Sequence, residues 1–230
     1  MPTEREVYAA HADQYERLVR REDHQGHLLP AISQIIRLEG LDAVELGAGT
    51  GRLTRTLAPR VRTIHAFDAS AHMLAAAAQS LRTLGDSNWA TAVADHRRIP
   101  LPDASADLVL SGWSFSYLAV WGGADWQDAV QEGLDEVRRA LRPGGTFLLI
   151  ESLGTGVEEP RPPDHLKEYL GWLTEAGFES DWVRTDYRFE SLEEALELSE
   201  FFFGEALEAQ VRAQGWQVLP ECTGLYWRRF

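Results

Sequence analysis

Short apolar runs recur along the chain, each separated from the next by a stretch whose apolar positions fall at helical spacing. DAVEL (42–46) follows a charged, amphipathic segment over 3–21 and a second helical stretch over 27–38. A helix over 52–58 stops at Pro59, whose ring cannot continue it. RTIHAF (62–67) then reads as a second strand ending at Asp68. Ser70 is placed to cap a helix over 71–84, which Gly85 terminates. WATAVAD (89–95) and DLVLSG (107–112) read as strands three and four. The helix at 126–141 is halted by RPGG, and TFLLIE (146–151) is a fifth strand. Its unbroken apolar character suits a parallel strand covered on both faces. A helix over 164–176 leads to a sixth strand, ESDWVRTDYRF (179–189). The segment over 190–220 has helical spacing in both halves and a break at Gly204. Strands alternating with helices predict an α/β, doubly wound sheet. GVEEPRPPD (156–164) is too short to divide domains and there is no internal repeat, so residues 1–230 read as a single domain.

One stretch breaks the pattern. VELGAGTGRLT (44–54) sets Gly47, Gly49 and Gly51 at alternate positions behind an apolar run that carries Glu45. Glycine at this density weakens any helix or strand containing it, so something must need the backbone bare. A turn from strand to helix at the carboxyl edge of such a sheet lets a ligand approach the main chain. The spacing is G-x-G-x-G and not the G-x-G-x-x-G of dinucleotide pyrophosphate sites. Glu45 would set a negative charge near phosphates, which disfavours a nicotinamide-dependent reductase. It would suit a ligand carrying an ammonium and a sulfonium.

Composition narrows the partner. With 22 Lys+Arg against 36 Asp+Glu the net charge is −14. Such a chain is repelled by nucleic acid and anionic membranes unless its basic residues cluster. RRIP and WRRF are short, so a small molecule is favoured. No run reaches the roughly 20 apolar residues of a membrane span, and 1–16 lacks the apolar core of a signal peptide. Cys222 is the lone cysteine, which rules out an internal disulfide and suits a reducing cytoplasm.

In these motifs the chain resembles the class I S-adenosylmethionine-dependent methyltransferases, particularly their ubiquinone/menaquinone-biosynthesis-like branch. VELGAGTGRLT is similar to the family's first motif and HAFDAS (65–70) to its second. AVADHRRIPLPDASADLVLSGWSFSYL (92–118) is similar to the third and fourth, and LRPGGTFLLIE (141–151) to the turn and strand that follow. The resemblance implies a Rossmann-like sheet of seven strands, mostly parallel, with N-terminal helices and a helical insertion before the last strand. It implies S-adenosyl-L-methionine as cofactor, S-adenosyl-L-homocysteine as product, and methyl transfer to an O, N or C nucleophile of a small acceptor. By the same resemblance Asp68 holds the ribose hydroxyls and Asp95 faces the adenine amino group. The backbone of Ser111 to Trp113 lies beside the methionine end. Glu45, Gly47, Ala48, Gly49, Gly51, Ala69, Met73, Ala94 and His96 complete the cofactor's surroundings.

Asp68 also has a reading of its own. It follows Gly47 by 21 residues (68 − 47), enough to cross a helix and return on the neighbouring strand. A carboxylate there can accept from two vicinal hydroxyls; helix capping beside Ser70 is the other reading. Tyr15 either closes over the cofactor from a cap over 1–40 or packs its own helix. The insertion over 190–220 either caps the substrate or buries Phe201, Phe202 and Phe203 against the domain. Trp113, Phe115, Tyr117, Trp121 and Trp126 cluster after the fourth strand, where they suit an apolar, aromatic or cationic acceptor. Glu151 and His24 are candidates for a general base, needed only if the acceptor arrives protonated. No metal site is expected, and the oligomeric state, acceptor and pathway stay open. A cofactor-binding protein without turnover is the alternative.

Overall fold

The computed structural model describes residues 11–85 and 87–230. Its strands in chain order are β1 (Asp42–Leu46), β2 (Thr63–Asp68), β3 (Trp89–Val93), β4 (Ala106–Gly112), β5 (Leu141–Thr155), β6 (Glu179–Arg184), β7 (Tyr187–Arg188), β8 (Val218–Leu219) and β9 (Glu221–Arg229). Seven of them form one sheet in the order β3-β2-β1-β4-β5-β9-β6, and β7 pairs with β8 in a separate ribbon. The first five are parallel, while β9 runs antiparallel between β5 and β6. The strand order reverses between β1 and β4. In open sheets of this kind, ligands bind beyond the carboxyl ends of the strands at that point.

Both faces of the central strands are buried, and successive residues serve opposite cores. Val44, Leu46, Val109, Phe147 and Leu149 join one cluster with helices α6 (Trp126–Ala140) and α7 (Asp164–Glu175). Ala43, Leu108, Leu110, Leu148 and Ile150 join another with α2 (Leu28–Ile35) and α3 (Arg52–Leu57). Helix α4 (Ala71–Leu81) follows β2, and Ser70 caps it by accepting from Met73 N. A one-turn α5 (Tyr117–Val120) follows β4.

Above the carboxyl edge stand α1 (Ala12–Val19) and the insertion, α8 (Leu192–Phe203) and α9 (Glu205–Gln214), with Gly204 between them. Residues 3–10 of the expected first helix lie outside the described residues. Several boundaries differ from the pattern. The second helix ends at Ile35 instead of residue 38. The fifth strand begins at Leu141 and takes in RPGG, because Phe230 bonds the main chain of both Gly144 and Gly145. The sixth strand stops at Arg184, where Arg184 holds Asp186 by both carboxylate oxygens at 2.7 and 2.9 Å. Tyr187 and Arg188 then turn away into the ribbon.

Candidate functional site

The glycine turn after β1 opens on a cavity of about 520 Å³ at the switch point. Gly47 and Gly49 form its floor, with left-handed backbones at φ +75° and +54°. The main chain is held down by Phe67 O, which accepts from Gly47 N at 2.7 Å and Ala48 N at 2.9 Å. Gly51, at φ +85°, lies off the cavity and serves packing: a Cβ there would come 3.1 Å from Ala77 of α4.

Asp68, at the end of β2, lines the cavity. Its Oδ2 accepts from Gly49 N at 2.8 Å and its Oδ1 from Ser70 N at 2.7 Å. One carboxylate thus ties the glycine turn to the start of α4 and keeps lone pairs for a ligand. Ala69, Asp95, His96 and Trp113 share the cavity, and Tyr15 enters it from α1. The Asp95 carboxylate is gripped by Arg97 at 2.8 and 2.9 Å, which lowers it to about pKa 2. Desolvation lowers the His96 imidazole below its usual range, opposed by its contact with Ser114, and its Nε2 lies 3.0 Å from Ser114 Oγ. Tyr117 and Trp121 stack at 4.2 Å on the far wall.

The remaining expected residues stand just behind this surface. Glu45 is 2% exposed and accepts from Thr54 Oγ1. Burial pushes its pKa up to about 7, with the Thr54 hydroxyl opposing and Asp68 adding. Ser111 is buried and donates to Leu46 O at 2.7 Å. Ala48, Met73 and Ala94 are packing residues beneath the turn and beside β3. Phe115 belongs to the core, and Trp126 packs edge-on against Trp172. The insertion reaches α1 through Phe201 on His11 and Phe202 on Tyr15.

Neither candidate base lines the cavity. The His24 main-chain N–H bonds Asp186 O at 3.3 Å, at the end of β6. Glu151 is 1% exposed and accepts from Ser116 Oγ at 2.9 Å, with Tyr169 Oη at 3.4 Å. Burial pushes its pKa up to about 8, opposed by the Ser116 contacts. A folded value raised above the unfolded one means stability present below about pH 4.5 and lost as pH rises through about 8. Glu151→Gln should remove that dependence, worth on the order of 2 kcal/mol. Urea midpoints of wild type and variant from pH 5 to 8.5 test this, and parallel curves would refute it.

Ser70, Arg97 and Ser114 line the cavity from within the quoted motifs, although the motifs do not single them out as cofactor contacts. Arg97 and Ser114 each stand one or two places beyond a recognised position, a proximity that could have marked them. Trp113 has a left-handed backbone at φ +50°, which no pattern signals, and Arg52 Cζ sits 4.1 Å from its ring centroid. Cys222 is buried, and burial raises its thiol to about 11. Among the described residues no group of three or more His, Cys, Asp or Glu could hold a metal ion.

Comparison with known proteins agrees with this arrangement. A family model described as "Methyltransferase domain" matches residues 44–149, which run from within β1 into β5. Residues 44–149 carry a methyltransferase domain of the S-adenosylmethionine-dependent kind that the motifs resemble. Malonyl-[acyl-carrier protein] O-methyltransferase 1 of Coxiella burnetii is 32% identical over 58% of this chain and 38% of its own length. The ubiquinone/menaquinone biosynthesis C-methyltransferase UbiE of Caulobacter vibrioides is 31% identical over 47% of this chain and 42% of its own. The chain spans less than two thirds of the length of these curated relatives. A SAM-dependent methyltransferase from Aquifex aeolicus shares the fold at TM-score 0.57 and 19% identity, over 86% of each chain. The matched segment supplies the glycine turn, Asp68 and Asp95, whereas Tyr15 and the insertion lie outside it.

Proposed function

We propose that the protein transfers the methyl group of S-adenosylmethionine to a small acceptor. The observation that carries this reading is Asp68 at the end of β2, lining one cavity with Gly47, Gly49 and Asp95. The residues fit the cofactor's parts. A carboxylate with spare lone pairs suits the ribose hydroxyls, and Asp95 offers an acceptor to the adenine amino group beyond its bonds to Arg97. A Cβ on Gly49 would project toward Tyr15 and Met73, into the room the methionine part needs. The cofactor, when bound, supplies an already activated methyl, so the protein's task is alignment and exclusion of water. Alignment of this kind is worth roughly 7–11 kcal/mol in favourable cases.

The named relatives include an O- and a C-methyltransferase, so kinship leaves the acceptor atom open. We read residues 1–230 as one domain in which α1 and the insertion cap the carboxyl edge of the sheet. No helix among the described residues is long and apolar enough to cross a membrane, and the acceptor is read as a small molecule met in the cytoplasm.

S-adenosylhomocysteine should stabilise the fold by mass action, by about 2.7 kcal/mol at a hundredfold excess over Kd. For a chain of this size that is a rise of about 5–10 °C in Tm. Differential scanning fluorimetry reads it directly. An unmoved Tm at millimolar ligand would overturn the cofactor assignment.

A further inference from the structure

Two unlike sets of residues line the cavity at the switch point. The ends of β1, β2 and β3 supply Gly47, Gly49, Asp68 and Asp95, the set that suits the cofactor. On the other side of β1 the sheet continues into β4, and the loop after β4 supplies Trp113, Tyr117, Leu118 and Trp121. This second set contains no charged side chain. Among the described residues the charged side chains of the cavity are Asp68, Asp95 and Arg97, and each is engaged. Asp95 pairs with Arg97, and Asp68 accepts from Gly49 N and Ser70 N. An ion lying against the loop would give up water and meet no opposite charge there.

The shape of this set is as selective as its polarity. Tyr117 opens α5 and Trp121 ends it, so the two stand one turn apart, with ring planes 15° apart and centroids at 4.2 Å. Two parallel rings make a flat slab. A cage for an ammonium needs aromatic faces set around the cation, which a slab does not give. Another flat ring stacks on it in the offset manner that aromatic pairs prefer. The slab is also held in place. Trp113 N donates to Ile150 O at 2.7 Å, and Ser116, just before α5, donates its N–H and hydroxyl to buried Glu151 at 3.3 and 2.9 Å. A surface fixed in advance loses little freedom when a ligand settles on it. Trp121 nonetheless leaves 41% of its surface open to solvent, apolar area that a stacked ring would cover.

We propose that the methyl acceptor is an uncharged, flat aromatic molecule that stacks on Tyr117 and Trp121 and takes the methyl on a ring hydroxyl or amino group. The inference rests on the methyl-transfer reading and adds the acceptor's class to it. A ring hydroxyl or an unprotonated aryl amine holds the lone pair that the step needs. That lone pair bonds the methyl carbon, the carbon–sulfur pair stays on sulfur as S-adenosylhomocysteine forms, and the substituent's proton leaves to water.

Titration calorimetry on the full chain saturated with S-adenosylhomocysteine tests this with four probes at pH 7. 2-Naphthol is flat and neutral, and decahydro-2-naphthol has its skeleton without the flat rings. 2-Naphthoate is flat and anionic, and trimethyl-2-naphthylammonium is flat and cationic. 2-Naphthol should bind at least about tenfold more tightly than each of the others. Trp121→Ala should weaken 2-naphthol at least about tenfold, and Trp121→Phe, which keeps a flat ring, should restore most of the loss. Both variants should change S-adenosylhomocysteine affinity less than about twofold. Should Trp121→Ala not fold, the ranking of the four probes on the wild type decides alone. Absence of 2-naphthol binding, equal binding of its saturated counterpart, preference for either ion, or unchanged affinity in Trp121→Ala would overturn the proposal. A tenfold loss of S-adenosylhomocysteine affinity in that variant would also overturn it and give the slab to the cofactor's adenine. If S-adenosylhomocysteine does not bind the wild type, the methyl-transfer reading falls first and this proposal falls with it.

Discussion

Gly47→Ala should abolish measurable S-adenosylhomocysteine binding and cost the fold about 3 kcal/mol. Two causes add. The backbone at φ +75° is left-handed, which costs a residue with a Cβ roughly 1–2 kcal/mol. The new methyl would also overlap Oγ and Cβ of Ser114, and forced overpacking adds about 1–3 kcal/mol. Ser114 cannot simply rotate away, because its Cβ is fixed to the backbone. Its displacement would break the contact with His96 and shift the loop that walls the cavity. Gly49→Ala is the control. Its Cβ would meet Met73 at an ordinary 3.6 Å, so that variant should lose about 1 kcal/mol of stability while still obstructing the ligand. Calorimetric titration beside urea unfolding separates the two. A Gly47→Ala protein with wild-type affinity would place the ligand elsewhere.

The parts of this molecule that obey a local rule were legible in its sequence. Apolar runs such as TFLLIE announce buried strands because both of their faces are covered, and Ser70 announces its helix because a hydroxyl there meets the free amide of Met73. The glycine turn was legible because positive φ is written in residue type. Failures came where a distant residue decides. RPGG reads as a turn, yet the chain terminus pairs with it through Phe230 and extends the strand. Glu45 and Glu151 look like site carboxylates by position, but side-chain direction turns both inward to Thr54 and Ser116. The joining of Glu22 to Arg52 and Thr185 could not be read at all. It links the N-terminal segment to a residue just past β6, 163 positions further along the chain, and a pattern of spacing carries no such distance.

Asp68→Ala should lose both affinity and stability. Position alone, at a strand end, suggests a carboxylate that can be removed without cost to the sheet. The hydrogen bonds say otherwise, since each oxygen satisfies one backbone amide, Gly49 N and Ser70 N. Stranding a buried donor costs about 1–3 kcal/mol, and partial exposure puts the pair near the lower end, at about 2 kcal/mol together. Binding loses up to two charge-assisted hydrogen bonds to the ribose and also the anchor that shapes the glycine turn. The first loss alone is worth at least ~1.5 kcal/mol, or at least about tenfold in Kd. Asp68→Asn separates the roles. Its amide oxygen can keep one backbone bond, whereas its NH2 turns an acceptor into a donor and opposes either the other backbone amide or the ribose. The asparagine variant should therefore recover part of the stability and little of the affinity. 5′-Methylthioadenosine, which keeps the ribose and lacks the amino-acid end, should weaken in parallel with S-adenosylhomocysteine. If its affinity is unchanged in both variants while stability falls, Asp68 is a brace between two loops and the ribose contact is made by another group.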